Sequence, residues 1–289
     1  MQTISCPGTD GLTLIADEWG PAGGPPVLML HGAGQNRHAW RATAAVLAEQ
    51  GWSVLTVDAR GHGDSDWSQE ARYDVEHMGA DVLALLDRFD QEPVVIGASM
   101  GGMAALAAQY ASEVPLYRAV VLVDIAPNFA VEGATRIVTW MAGNPDGFAT
   151  LEEASDAMAA YNPNRPRPKD LGGLTKVLRE GPDGRWRWRW DPDYISSKPG
   201  FVTGDHEVMR QSMERVSEIM LDGARRAGRP VLLVRGGRSD LVTAESVQLF
   251  LDRVPTAEYL DVANTGHMVA GDDNDAFTTA VLEFLGRMP

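Results

Sequence analysis

The chain of 289 residues carries a formal net charge of −15 at pH 7 and has an apolar fraction of 44%, which suits one large α/β domain or a core with an insertion. The acidic charge argues against nucleic acid and anionic membrane surfaces as partners, because both are bound through clustered Lys and Arg. The single cysteine, Cys6, excludes an internal disulfide and cysteine-rich zinc sites. No apolar run is long enough to span a membrane and the N-terminus lacks the features of a signal peptide, so a soluble cytoplasmic protein is expected.

Apolar runs typical of buried strands recur along the chain. Each is rich in Val, Leu or Ile and ends in Gly, Asp or Pro; they lie at 25–32, 52–61, 93–99, 118–127 and 229–237, with a weaker sixth at 256–262. Helical patterns separate most of them, at 40–50, 77–89, 102–111, 245–254 and 275–287. Continuous apolar strands that alternate with helices predict a parallel sheet that is covered on both faces.

The alternation of strands and helices breaks at Pro127 and resumes at Arg229. Between these points the sequence shows several helical patterns and loop-like stretches, but no comparable strand. We therefore predict a helical cap domain at 127–227, inserted into a core that is formed by residues 1–126 and 228–289.

The sequence Gly97-Ala98-Ser99-Met100-Gly101 stands between a predicted strand and an apolar helix. It fits the G-x-S-x-G pattern of a nucleophile elbow, in which a strained turn exposes the serine hydroxyl above the sheet. Such a turn tolerates only small neighbours two residues away, and Gly97 and Gly101 meet this condition. Ligands bind beyond the carboxyl ends of parallel strands, which is where the serine lies. Ser99 is therefore the predicted nucleophile, and a plain glycine-rich turn is the structural alternative.

A serine hydroxyl needs a base to remove its proton. Among the six histidines, only His267 lies in a loop after the last core strand, as the chain order Ser…Asp/Glu…His requires. Asp240 follows the strand at 229–237 and is predicted to orient the imidazole and stabilise its charge. Asp124, at the end of an earlier strand, is the rival for this role, and its alternative role is to tie down the entrance to the cap.

A tetrahedral intermediate carries a negative oxygen that needs hydrogen-bond donors. The backbone amide of Met100 lies just after the nucleophile, at the positive end of the following helix. A second amide is expected from the loop "LHGAGQ", where that of Ala33 is best placed. These two amides are the predicted oxyanion hole.

Five motifs in this order resemble the α/β-hydrolase family: "LHGAGQNRHAW", "VDARGHGDSD", "GASMGG", "RSDLV" and "TGHMV". The resemblance is closest to the capped bacterial branch of carboxylesterases, lactonases and cofactor-free haloperoxidase-like perhydrolases. It implies the α/β-hydrolase fold for residues 1–126 and 228–289, and no metal or organic cofactor. Relatives that open epoxides or remove halogens carry Asp at the elbow, so Ser99 implies acyl chemistry.

The segment "RWRWRWDP" alternates Trp and Arg inside the predicted cap. Stacking on nucleic-acid bases is one interpretation, but the net negative charge disfavours it. An extended segment with Trp186, Trp188 and Trp190 on one face is the simpler interpretation, and these rings are candidates for the roof of the substrate pocket. Trp40 is a further candidate for the pocket.

The predicted function is hydrolysis of a carboxylic ester or lactone through an acyl-enzyme intermediate. The expected partner is a small, neutral and moderately apolar substrate. The sequence does not decide whether the chain forms a homo-oligomer. Three alternatives remain: hydrolysis of a carbon–carbon bond in a β-diketone-like substrate, perhydrolysis with peroxide in place of water, and a binding protein of the same fold without turnover.

Overall fold

The structure is a computed structural model that describes residues 1–162, 167, 170–198, 200–201, 203–263 and 275–288. Its strands are β1 (Gln2–Pro7), β2 (Thr13–Trp19), β3 (Pro26–Leu30), β4 (Ser53–Val57), β5 (Val94–Ala98), β6 (Ala119–Val123), β7 (Leu178–Glu180), β8 (Trp186–Trp188), β9 (Val231–Gly236) and β10 (Ala257–Val262). Its α-helices are α1 (Arg41–Glu49), α2 (Val75–Leu86), α3 (Met100–Ala111), α4 (Val131–Ala142), α5 (Leu151–Tyr161), α6 (Asp193–Ser196), α7 (His206–Ala227), α8 (Ala244–Arg253) and α9 (Asp275–Gly286). Short 3-10 helices cover Arg37–Trp40 and Leu171–Lys176.

The main sheet has the strand order β1-β2-β4-β3-β5-β6-β9-β10. All neighbours from β4 to β10 are parallel, whereas β1 and β2 pair antiparallel at one edge. Every residue of β5 and β6 is buried, because helices cover both faces of the central strands. The predicted parallel sheet with helices on both faces is confirmed, and all six predicted strands belong to it.

Two hydrophobic cores lie on opposite faces of this sheet. The larger core contains buried residues of α2, α3 and α7 together with residues of the inserted segment. The smaller core lies under α1 and α9 and includes Trp40 and Phe277. Among the described residues, no helix is both long and apolar enough to cross a bilayer.

The segment between β6 and β9 contains α4 to α7 and the antiparallel hairpin β7–β8. The predicted cap at 127–227 therefore holds a small sheet as well as helices. It also holds α7, whose second half packs on the core helix α3: a Cβ atom on Gly223 would lie 2.2 Å from the carbonyl oxygen of Leu106. Structurally, the end of α7 belongs to the layer of core helices, although the sequence places it inside the insertion.

Candidate active site

Ser99 lies between β5 and α3 with φ 44° and ψ −114°. A positive φ at a non-glycine residue costs of the order of 1–3 kcal/mol and is concentrated at functional sites. The neighbouring glycines leave no room for a side chain, since a Cβ atom on Gly97 would lie 2.5 Å from the amide nitrogen of Gly102 and one on Gly101 would lie 2.4 Å from the carbonyl oxygen of Leu30. The turn thus holds the half-buried serine at the amino end of α3, and Gly97 and Gly101 provide the space that this turn needs.

The loop after β3 lies directly beside the nucleophile. A Cβ atom on Gly32 would be 3.5 Å from the Cβ atom of Ser99. The Ala59 amide donates to Nε2 of His31 at 3.0 Å, which leaves the proton on Nδ1, and Nδ1 donates to the Gly32 carbonyl at 2.8 Å. The Gly32 amide in turn donates to Oε1 of Gln35 at 2.9 Å. Gly32 is therefore fixed on both sides, and the amide of the next residue, Ala33, is held with it.

The two predicted oxyanion donors flank Ser99 from these two elements. Met100 is the first residue of α3, where helix amides have no intrahelical acceptor. Within the described part of the chain, neither the Met100 nor the Ala33 amide donates to another backbone carbonyl. Their assignment as the oxyanion hole stays a prediction.

Asp124 is fully buried at the carboxyl end of β6, with φ 49°. In the sheet register Ala98 pairs with Val123, so Ser99 and Asp124 each follow a paired residue on neighbouring strands. The Asp124 carboxylate accepts the Gly236 amide at 2.9 Å and the Ser239 hydroxyl at 2.6 Å. These bonds hold the Asp124 carboxylate at the carboxyl ends of the central strands, where Ser99 also lies.

Asp240, the predicted third member of the triad, has a different environment. Its side chain is 45% exposed and accepts two bonds from Arg136 of α4, from Nε at 2.6 Å and from Nη2 at 2.8 Å. The Arg136 guanidinium lies over the ring of Tyr161, 5.0 Å from its centroid. His267 lies outside the described residues, so the assignment of Asp240 as its partner stays a prediction.

Two of the four predicted pocket tryptophans lie together beside the loop after β3. The rings of Trp188 and Trp190 stack with centroids 4.6 Å apart, and Trp140 of α4 packs on both at 5.2 and 5.8 Å. A Cβ atom on Gly34 would lie 3.3 Å from Trp190, so this aromatic cluster covers the loop after β3. Sequence reasoning missed Trp140, whose only signal is its place on an amphipathic helix.

The other two predicted tryptophans lie elsewhere. Trp186 is half-buried and forms a backbone bridge with Phe148 of the inserted segment. Trp40 is fully buried in the smaller core, where its ring packs 6.0 Å from that of Phe277. The structure therefore separates Trp40 from the aromatic cluster, and it gives Trp40 a packing role on the other face of the sheet.

His62 connects the core to the inserted segment. Its backbone bridges Trp190, and its fully buried ring lies 5.3 Å from the His31 ring and 4.9 Å from the Tyr194 ring. Burial, together with the neighbouring His31, lowers the pKa of His62 to about 3. The His62 imidazole is therefore neutral in the folded protein at neutral pH, and Nδ1 lies 3.1 Å from the Arg60 carbonyl that it contacts.

This histidine makes stability dependent on pH. The folded-state pKa of His62 is about 3, whereas an imidazole in the unfolded chain has a pKa of about 6.5. As the pH falls below the unfolded value, the unfolded state gains a proton that the folded state does not accept, so stability is lost. We expect His62→Asn to reduce the loss of stability between pH 7 and 4 by up to about 1.4 kcal/mol per pH unit. Urea unfolding at each pH measures this slope; His206→Asn, at an exposed position, is the control, and equal slopes in both variants would contradict the prediction.

Comparison with known proteins gives a consistent result. Residues 27–280 match the Alpha/beta hydrolase family. The chain is 28% identical over 280 residues to a 3-hydroxybutyrate-oligomer hydrolase of Cupriavidus necator, with 91% of this chain and 90% of that protein covered. It is also 28% identical over 278 residues to an esterase of Mycobacterium tuberculosis, with 93% and 85% covered.

Solved structures are similar over the whole length. An alpha/beta hydrolase from Novosphingobium aromaticivorans has a TM-score of 0.79 at 25% identity, covering 99% of this chain and 98% of its own. E-2-(acetamidomethylene)succinate hydrolase has a TM-score of 0.80 at 21% identity, with 99% of this chain and 100% of that chain covered. At this identity the similarity shows the fold alone.

Proposed function

Since the chain belongs to the alpha/beta hydrolase family, we propose that it is a serine hydrolase that cleaves a carboxylic ester through an acyl-enzyme intermediate on Ser99. Family membership confirms the fold that the five sequence motifs predict. The observation that carries the proposed chemistry is the strained Ser99 backbone, held by two obligatory glycines at the amino end of α3. Strained residues are concentrated at functional sites, and in a nucleophile elbow the strained turn presents the serine hydroxyl.

The proposed reaction begins with attack of the Ser99 hydroxyl on the substrate carbonyl while His267 takes the proton. The amides of Met100 and Ala33 donate to the oxygen that becomes negative, and each such donor is worth about 10²–10³ in rate. The histidine then protonates the leaving alcohol. In the second half it activates a water, which attacks the acyl carbon and releases Ser99 together with the acid.

A carboxylate must orient His267 during both halves of the reaction. Asp240 is the residue that the sequence predicts for this role. The described geometry supports Asp124 more strongly, because it is buried and tethered on the strand next to Ser99, whereas Asp240 is half-exposed and engaged by Arg136. We propose Asp124 as the orienting carboxylate and keep Asp240 as the alternative.

The surroundings of Ser99 support an ester or lactone without a charged acyl group. The cluster of Trp140, Trp188 and Trp190 together with Met141 forms an apolar cover over the loop after β3. Arg136, on the same helix as Trp140, already binds a carboxylate of the protein itself. Two relatives that the chain matches over most of its length are named as an esterase and an oligomer hydrolase.

A fluorophosphonate probe tests the proposed function, because it phosphonylates only an activated serine. We expect one label per chain on the peptide that contains Ser99, found by mass spectrometry of the digested protein. Ser99→Ala should lose the label, and Ser5→Ala, at an exposed edge position, should keep it. An unlabelled wild-type protein, or a label that survives in Ser99→Ala, would refute the proposal.

A further inference from the structure

The first turn of helix α4 packs against the loop that follows β9. The Ala130 amide, just before the helix, donates to the Leu241 carbonyl at 2.8 Å. A Cβ atom on Gly133 would lie 2.5 Å from the carbonyl oxygen of Asp240. Only glycine permits this approach, so the first turn of α4 rests directly on the backbone of this loop.

The other end of α4 rests on the loop that follows β3. A Cβ atom on Gly34 would lie 3.4 Å from Cε and 3.6 Å from Sδ of Met141, near the end of the helix. Trp140, the preceding residue, packs on Trp190, which contacts the same glycine. The last turn of α4 therefore covers the loop that carries the Ala33 amide.

The strand order shows what lies between these two supports. Between β3 and β9 stand β5 and β6, which carry Ser99 and Asp124 at their ends. Three strand spacings amount to about 14 Å, and an α-helix rises about 12 Å from Gly133 to Met141. The two lengths agree, so α4 runs across the carboxyl ends of β5 and β6 and passes over the nucleophile.

Ile137 occupies the middle of this span. It lies four residues from both Gly133 and Met141 and so shares their face of the helix, which is the face turned toward the sheet. It is half-buried and packs against the larger core, as do its neighbours Ala134 and Val138. Because β-branched residues in helices are nearly confined to one χ1 rotamer, Ile137 is a rigid group at this place.

We propose that Ile137 is the ceiling of the acyl pocket and limits the substrates to esters of short aliphatic acids. This inference rests on the proposed function. The acyl group stays bonded to Ser99 after the alcohol has left, so a side chain directly above Ser99 contacts the acyl group of the intermediate. The face that α4 turns to the sheet is apolar, which suits a hydrocarbon chain and excludes a charged one.

The test is the chain-length profile of kcat/KM for p-nitrophenyl acetate, butyrate, hexanoate and octanoate. We expect the wild-type enzyme to prefer acetate or butyrate, and Ile137→Ala to raise the ratio of octanoate to butyrate about tenfold, as expected when a pocket gains room for methylene groups. Ile137→Phe should shift the preference toward acetate. Thr135→Ala, on the exposed side of the same helix, should leave the profile unchanged.

The outcomes separate this inference from the proposed function. An enzyme that is labelled at Ser99 and hydrolyses these esters with the same profile in wild type, Ile137→Ala and Ile137→Phe would overturn the inference alone. Absence of labelling in the wild-type protein would overturn the proposed function. Should Ile137→Ala fail to fold, Ile137→Val gives the same comparison with a smaller change in volume, and a profile identical to the wild type in both Ile137→Val and Ile137→Phe overturns the inference.

Discussion

We expect Ser99→Ala to lower kcat for p-nitrophenyl butyrate about 10⁵- to 10⁶-fold, the loss that follows removal of a triad nucleophile. The oxyanion donors and the pocket remain in the variant, so it should still bind the ester, and its KM should approach the dissociation constant of the substrate because no acyl-enzyme forms. Steady-state hydrolysis followed by release of p-nitrophenolate measures both constants. The variant keeps Gly97 and Gly101, and its fold is checked by circular dichroism and by the melting temperature.

Contaminating esterases set the lower limit of this measurement. Ser5→Ala, purified in the same way, should retain wild-type kcat because Ser5 is exposed on β1. A Ser99→Ala enzyme with more than about one hundredth of wild-type kcat would remove Ser99 from the role of nucleophile, since even a damaged triad that keeps its serine loses more than this. Activity would then have to come from another group.

The core of the fold was predictable because its signals are local. Each central strand is a short apolar run that ends in a turn residue, and β5 and β6 are buried on both faces as such runs require. β1 and β2 lack this signal. They lie at an antiparallel edge, where exposed and buried residues mix, and their sequences contain acidic and polar residues that obscure the strand pattern.

The candidate site was predictable in part, for the same reason. The nucleophile turn needs glycine on both sides, and that requirement is visible within five residues. No such local rule says which residues of the inserted segment return to Ser99. Trp40 and Trp190 are equally aromatic in the sequence, but only the tertiary path of the chain brings Trp190 to Gly34 and leaves Trp40 beside Phe277.

The sequence analysis predicts Asp240 rather than Asp124 as the acid, but both residues follow a parallel strand, so no local signal decides between them. Their difference arises from contacts that lie far apart in the chain. Ser239 donates to Asp124 and its side-chain oxygen also accepts the Leu241 amide, so the loop after β9 folds around Asp124. Asp240 lies between Ser239 and Leu241 in the chain, and its side chain therefore points outward to Arg136 of α4.

We expect Asp124→Asn to lower kcat about 10⁴-fold, the effect of losing the acid that fixes the histidine tautomer. Asp240→Asn should lower kcat less than about tenfold, because an exposed ion pair with Arg136 contributes little. The asparagine at position 124 can still accept the Gly236 amide through its side-chain oxygen, so the loop is expected to keep its shape. The same p-nitrophenyl butyrate assay and the rate of fluorophosphonate labelling measure both variants, and labelling should slow in parallel with kcat.

The melting temperatures and a third variant make the comparison decisive. A purely structural role of Asp124 would lower the melting temperature while leaving kcat of the folded fraction near that of the wild type. Arg136→Gln removes the cation that engages Asp240. If Asp240 were the orienting acid, releasing it from Arg136 would raise kcat, whereas we expect no change larger than about twofold because the surface pair is weakly coupled. A 10⁴-fold loss in Asp240→Asn, with a nearly normal Asp124→Asn, would instead establish the residue that the sequence predicts and would mean that α4 must release it before catalysis.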